Sequence, residues 1–495
     1  MTDATSLGSS GGRRRWAALA LIVTAQFMVI LDVAIVNVAL PSIKTDLHFS
    51  QESLQWVITA FAIMFGGVLL LGGRLADLFG RRRLFITGVA LFTGSSLLSG
   101  LAWSESSLIV FRALQGLGGA LLAPAALSIL ITTFREGRDR NIALGVYGAA
   151  SGSGGSAGVL LGGVLTSSLN WSWIFFINVP VGLVVVALAP RLLREGRAVM
   201  AHRHLDLAGA TTSTSGLMLL VYAMTRATES GWETPETIAL LAAAASLLVA
   251  FVAIELRSKA PLLPMRIFRL RTLATANAIA VVIGSISFSQ FFLLSLYMQQ
   301  VLRYSALTTG VAYIAITLTI AAGSNLAQKL VTRFGARPTL TTGLLLSAVA
   351  LGLYTRLPAH GHYFWDIFPG FIVGGVGFAL CFVPVTIAGL TGIHPGDSGI
   401  ASGLINTTRQ IGGAIGLAAV STIAATYTDR YVHGHAGSTA LGAAALTHGF
   451  QFAFDALTGL ALLGALIAIT LPVRRSQAHA VSELPDRQTV TAEAA

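Results

Sequence analysis

One cysteine among 495 residues, Cys381 inside an apolar run, excludes an internal disulfide and a cysteine-ligated metal site. A small buried side chain is its expected role. Charge is scarce as well: Asp, Glu, Lys and Arg make up 11% of the chain, against about 25% in an ordinary soluble domain. Lysine is nearly missing, with only Lys44, Lys259 and Lys329. None of them closes a Gly-Lys-Ser/Thr phosphate loop, so the chain carries no nucleotide motor of its own. The net charge of +11 is not arranged as a basic-aromatic stripe, which argues against a nucleic-acid partner. His202/His204 and His433/His435 fall in connections on opposite sides of the expected bilayer, so neither metal nor hydrolytic chemistry has a cluster to work with.

What is abundant is apolar sequence, 54% of the chain. Runs of about twenty apolar residues, each long enough to cross ~30 Å of hydrocarbon as a helix, recur from Trp16 to Pro472. The pattern predicts an all-α polytopic membrane protein with fourteen transmembrane helices near 16–40, 54–73, 84–103, 107–133, 141–166, 173–193, 207–226, 236–255, 273–298, 307–329, 339–357, 366–390, 399–425 and 450–471. Arg13, Arg14 and Arg15 precede a stretch too long for a signal-peptide core, and no small-residue cleavage site follows, so the first helix is expected to stay in the mature chain.

With both termini in the cytoplasm, twenty-five of the thirty-two Lys and Arg residues fall on the cytoplasmic side and five on the outer side. The remaining two, Arg112 and Arg409, lie within apolar runs. That asymmetry satisfies the positive-inside rule and supports the count of fourteen. Sliding the chain by 258 positions lays Asp139–Gly158 over Asp397–Gly416 with seven of twenty pairs identical. A nearby shift lays Leu75, Phe79, Gly80 and Arg82 over Leu330, Phe334, Gly335 and Arg337. The expected organisation is a cytoplasmic tail (1–15), a six-helix half (16–195), a linker with two inserted helices (196–271), a second six-helix half (272–472) and a second cytoplasmic tail (473–495). Repeated halves of this kind hold a small-molecule substrate between them at mid-membrane and rock to alternate access.

The link Gly73-Arg74-Leu75-Ala76-Asp77-Leu78-Phe79-Gly80-Arg81-Arg82-Arg83 resembles the loop signature of the major facilitator superfamily. Leu31-Asp32 through Pro41, Arg112-x-x-Gln115-Gly116, Trp171 through Pro180 and Asn406 through Gly413 resemble the signatures of its fourteen-helix drug:proton antiporter subfamily, the multidrug and quaternary-ammonium exporters. The resemblance implies a 6+2+6 major facilitator fold in the inner membrane, efflux of hydrophobic, often cationic, drugs or antibiotics, and a proton gradient in place of any cofactor. A dedicated exporter of one metabolite and a proton-symport uptake carrier share these motifs. A monomer is expected; a periplasmic adaptor is left open. The fifth helix departs from the antiporter pattern, because Gly158-Val159-Leu160-Leu161-Gly162-Gly163 lacks the proline that would kink it. Ala34 also stands where a hydroxyl residue is frequent.

Asp32 and Asp455 are the carboxylates well inside apolar runs, where each costs roughly 2.5–3.5 kcal/mol on insertion scales. Asp32 and Arg112 lie at similar depth on antiparallel helices, and are expected to meet at the wall of the central cavity. Protons and substrate would compete there for one carboxylate; a static pair that only fixes packing is the alternative. Asp455 is expected at the periphery, and Arg409 either at the substrate or paired with helix carbonyls or Asp455. Gln26, Asn37, Gln115, Gln290, Asn325, Asn406 and Arg409 are the polar candidates for the cavity lining. Asp77 is expected to face the start of the helix near Ser398 as a conformational switch, with Gly73, Gly80 and Arg81. Gly145, Gly148, Gly152, Gly155, Gly158 and Gly162 form a small-residue face, joined by Gly163, for close or sliding helix contact.

Overall fold

The structure, a computed structural model, describes residues 6–49, 51–54, 56–134, 137–195, 206–258, 261–393, 397–434 and 441–472. The expected tail 473–495, with His202, His204 and His435, lies outside the described residues. The long helices are α1 (Ser6–Asp46), α2 (Trp56–Phe79), α3 (Arg81–Gly100), α4 (Glu105–Thr133) and α5 (Arg138–Ser168). There follow α6 (Trp173–Leu192), α7 (Leu207–Ser230), α8 (Pro235–Arg257), α9 (Arg271–Leu296), α10 (Leu307–Phe334), α11 (Ala336–Tyr354), α12 (Phe368–Leu390), α13 (Ser398–Gly434) and α14 (Leu441–Ile469). Among the described residues, thirteen are long and apolar enough to cross a membrane. The fourteenth, α5, is 31 residues long, about 46 Å, and its Gly and Ser residues dilute its apolar character. It is continuous without the missing proline.

Polar caps mark where apolar runs begin. Ser104 and Ser107 exchange reciprocal bonds at the start of α4, and Thr234 caps α8 ahead of Pro235. α13 and α14 run beyond the expected 399–425 and 450–471. Their outer turns are held by ring stacking, Tyr427 on Phe452 at 3.9 Å and Tyr431 beside His448 at 4.9 Å, so the helices persist where the apolar run has ended.

Packing repeats at an offset of eight helices. α1 packs on α5, α2 on α4 and α3 on α4; likewise α9 packs on α13, α10 on α12 and α11 on α12. The glycines of the sequence repeat make matching approaches. A Cβ at Gly158 would lie 2.6 Å from the Leu31 carbonyl oxygen, and one at Gly416 would lie 2.5 Å from Ser285. Two seams join the repeats, α5 against α10 and α2 against α13, and they are equivalent under the same offset. The inserted pair sits on one of them: α8 packs on α7, and α7 on both α2 and α13.

The short links α2–α3 and α10–α11 turn on Gly80 and Gly335, with φ of +107° and +89°. L-residues rarely adopt this region. A Cβ at Gly335 would meet nothing within 4 Å, so Gly335→Ala isolates the backbone cost, expected at about 1–2 kcal/mol. Gly352, also in open space but inside helix α11, should gain up to about 1 kcal/mol as alanine. Thermal unfolding in detergent should move in opposite directions for the two variants; movement in the same direction refutes the backbone account.

Candidate functional site

Asp32 sits in the middle of α1 with a fully buried side chain. Arg112, from α4, donates from Nη1 to its Oδ2 at 2.6 Å. Oδ1 accepts from Gln115 Nε2 at 2.8 Å and from Asn178 Nδ2 at 2.9 Å. Ser96 Oγ, from α3, accepts from the same two amides at 2.5 and 3.3 Å. Arg112 also donates from Nε to the Val57 carbonyl at 3.0 Å, and its guanidinium lies 4.5 Å from the Phe61 ring centroid. A carboxylate removed from water is tolerable only when paired and hydrogen-bonded, and α4 and α6 supply those partners here, with α2 and α3 holding the partners in turn.

The expected encounter of Asp32 and Arg112 is present, but its setting differs. Arg112 is 1% exposed and Asp32 is not exposed at all. The pair therefore lies inside the bundle α1–α4 and α6, and forms no cavity wall. Helix α6 closes over it with Asn178 and Phe175. Gln115, expected to line a cavity, is locked inside this network for the same reason. Sequence reasoning missed Asn178 and Ser96 as its members. Asn178 lay within a quoted motif as an amide in an apolar stretch, which was the available signal; Ser96 gave none.

The other polar candidates scatter. Gln26 is buried, and its Oε1 has no partner among the described residues. Asn37 is exposed and donates to its own helix at the Val33 carbonyl. Gln290 is half-buried near Gly374. Asn325 lies on an exposed stripe of α10 with Leu318 and Lys329. Asn406 is buried, donates to Ser402 and accepts from Arg409 Nη2 at 2.7 Å. Asp455 is exposed on α14, and Arg409 donates to Asn406; among the described residues no ion pair joins Arg409 to Asp455.

Asp77 ends α2 and meets the first turn of α13. Its Oδ2 accepts the Ile400 backbone N–H at 3.2 Å, while Oδ1 accepts from Arg81 at 3.0 Å. The unpaired N–H groups and dipole of a helix start favour this anion. Gly73 permits the approach: a Cβ there would lie 2.5 Å from the Gly399 carbonyl oxygen. At the same end Arg266 pairs with Asp397 at 3.2 Å, and Asn141 Nδ2 donates to Thr332 Oγ1 at 3.1 Å across the α5–α10 seam. Buried Glu255, which the sequence did not single out, clamps the α8–α9 link by accepting from Leu262 and Leu263 N–H at 3.0 and 3.1 Å. Gly162 meets Ile35 of α1, whereas Gly163 faces Leu307 of α10, so the small-residue face of α5 serves packing within one repeat and contact with the other.

Paired helical repeats joined at two glycine-lined seams, one latched by Asp77 and the other bridged by Asn141 and Thr332, define an alternating-access membrane transporter. The Major Facilitator Superfamily model matches residues 22–417, and the chain belongs to that family of multi-pass membrane transporters. It is 40% identical over 471 residues to a puromycin resistance protein of Streptomyces alboniger, covering 94% of this chain and 93% of that protein. It is 39% identical over 459 residues to a cephamycin export protein of Amycolatopsis lactamdurans, covering 92% of each. Among solved structures it resembles the human organic anion transporter MFSD10 with a TM-score of 0.65 at 16% identity, over 92% of this chain and 99% of that one.

Proposed function

We propose that the protein exports drug-like antibiotics from the cytoplasm by exchanging them for protons across the inner membrane. Near full-length similarity to two antibiotic-resistance and export proteins supports efflux. The observation that carries proton coupling is the Asp32 network, a carboxylate enclosed by one cation and two amides. Protonation removes the acceptor charge that holds Arg112, so proton occupancy and the seating of α1 against α4 and α6 become linked. Asp77 on the start of α13 is the latch that closes the basic end, with Gly73, Gly80 and Arg81 as its supports. That end, rich in Arg, faces the cytoplasm with both termini.

Inverted vesicles energised to an acid interior test this directly. Puromycin or the lipophilic cation ethidium, added outside, should enter and release protons from the lumen in step. A gradient untouched by either compound would sink general efflux and favour a dedicated metabolite exporter. Compound preloaded into the lumen that leaves together with protons would favour symport uptake.

A further inference from the structure

Arg409 is the second arginine within an apolar membrane run, and it is built unlike Arg112. It lies eleven residues into α13, half-buried, with no carboxylate in ion-pair contact among the described residues. Its guanidinium stacks 4.6 Å from the Phe382 ring of α12 and donates to Asn406. Phe382 in turn packs on Gly148 of α5, so the cation stands where one repeat meets the other. Tyr147, the neighbour of Gly148, is close enough to interact electrostatically with Arg409, and its buried hydroxyl has no hydrogen-bond partner among the described residues. One turn along the same face, Ser151 Oγ is also unpartnered and buried. The register of α5 on α1, with Gly154 against Ile30 and Gly158 against Ala34, sets Ser151 level with Gln26, whose Oε1 is unpartnered too.

An arginine within a membrane span, without a counter-charge among the described residues, is costly and is a functional site by default. Buried hydroxyls left without partners carry the same message, because nearly all such groups are satisfied in folded proteins. Phe382 supplies an aromatic wall beside the charge. We propose that Arg409, with the Tyr147 and Ser151 hydroxyls, forms a subsite at the junction of the repeats for the anionic group of an aromatic organic acid or zwitterion. This rests on the export reading and narrows its substrate class. Asp32 does not oppose it, since that carboxylate is already enclosed by Arg112, Gln115 and Asn178.

The test uses purified full-length protein in detergent and two probes with one ring system and opposite charge, 2-naphthoate and 2-naphthylmethylammonium. Wild type should bind naphthoate at least tenfold more tightly. Arg409→Gln should weaken naphthoate binding by about tenfold or more, as expected for a lost charge-assisted hydrogen bond, and leave the ammonium within about twofold. Arg409→Lys should recover part of the loss, and Tyr147→Phe should weaken naphthoate by about threefold. Equal binding of both probes, no binding of either, or an equal loss of both in Arg409→Gln overturns the subsite. Transport in inverted vesicles separates the two ideas. Charge preference at Arg409 without gradient-driven movement of any drug refutes export alone. Drug transport with the probe preference unchanged by Arg409→Gln refutes the subsite alone.

Discussion

Inverted vesicles carrying Asp32→Asn are expected to lose substrate-driven proton release altogether at matched membrane abundance. Asparagine keeps the size of the side chain and much of its hydrogen bonding, but it holds no exchangeable proton and no charge. Arg112 is then buried without its counter-ion, and breaking one partner of a buried pair costs about 3–5 kcal/mol. Loss of fold and loss of coupling are thus entangled in the single variant. The double variant Asp32→Asn with Arg112→Gln separates them, because it removes both charges and should restore most of the thermal stability while coupling stays absent. A double variant that exchanges protons for substrate at the wild-type rate would mean that the pair only fixes packing.

A disulfide between cysteines placed at Asn141 and Thr332 is expected to abolish transport on oxidation and return it on reduction. The two side chains already meet at 3.1 Å across the α5–α10 seam, so a bond there ties the repeats together at the basic end. Alternating access requires that end to open once per cycle. Native Cys381 is buried and offers no competing exposed thiol. Transport should fall to the level of empty vesicles when cross-linking is complete, and dithiothreitol should restore it. Continued transport through a fully cross-linked protein would show that the basic end need not part at this seam.

Much of this arrangement was legible in the chain because a bilayer makes charge conspicuous. Asp32 and Arg112 stood out as two charges in apolar runs at matching depth, and the encounter of Asp77 with the start of α13 followed from a motif and a helix start. Direction around a helix axis was not legible. In water an apolar stripe marks the core face, but in lipid the outer face is apolar too, so periodicity loses its contrast. That is why Gln115 reads as a cavity residue when it belongs to the Asp32 network, and why the exposure of Asn325 is not legible. Ser96 and Asn178 escaped notice for a related reason: each becomes meaningful only when α3 and α6 close on α1, a contact between segments 64 and 146 residues apart from Asp32.

The inserted pair breaks the equivalence of the two seams. The α2–α13 seam is backed by α4 and the α5–α10 seam by α12, as the repeat requires, yet α7 spans only the first and has no counterpart on the second among the described residues. Met218 and Val221 of α7 fill the space left by Gly67 and Gly66, so that flank is tightly sealed. The α2–α13 seam is therefore shielded from the surrounding hydrocarbon on that flank, whereas among the described residues the α5–α10 seam meets the bilayer without such a cover.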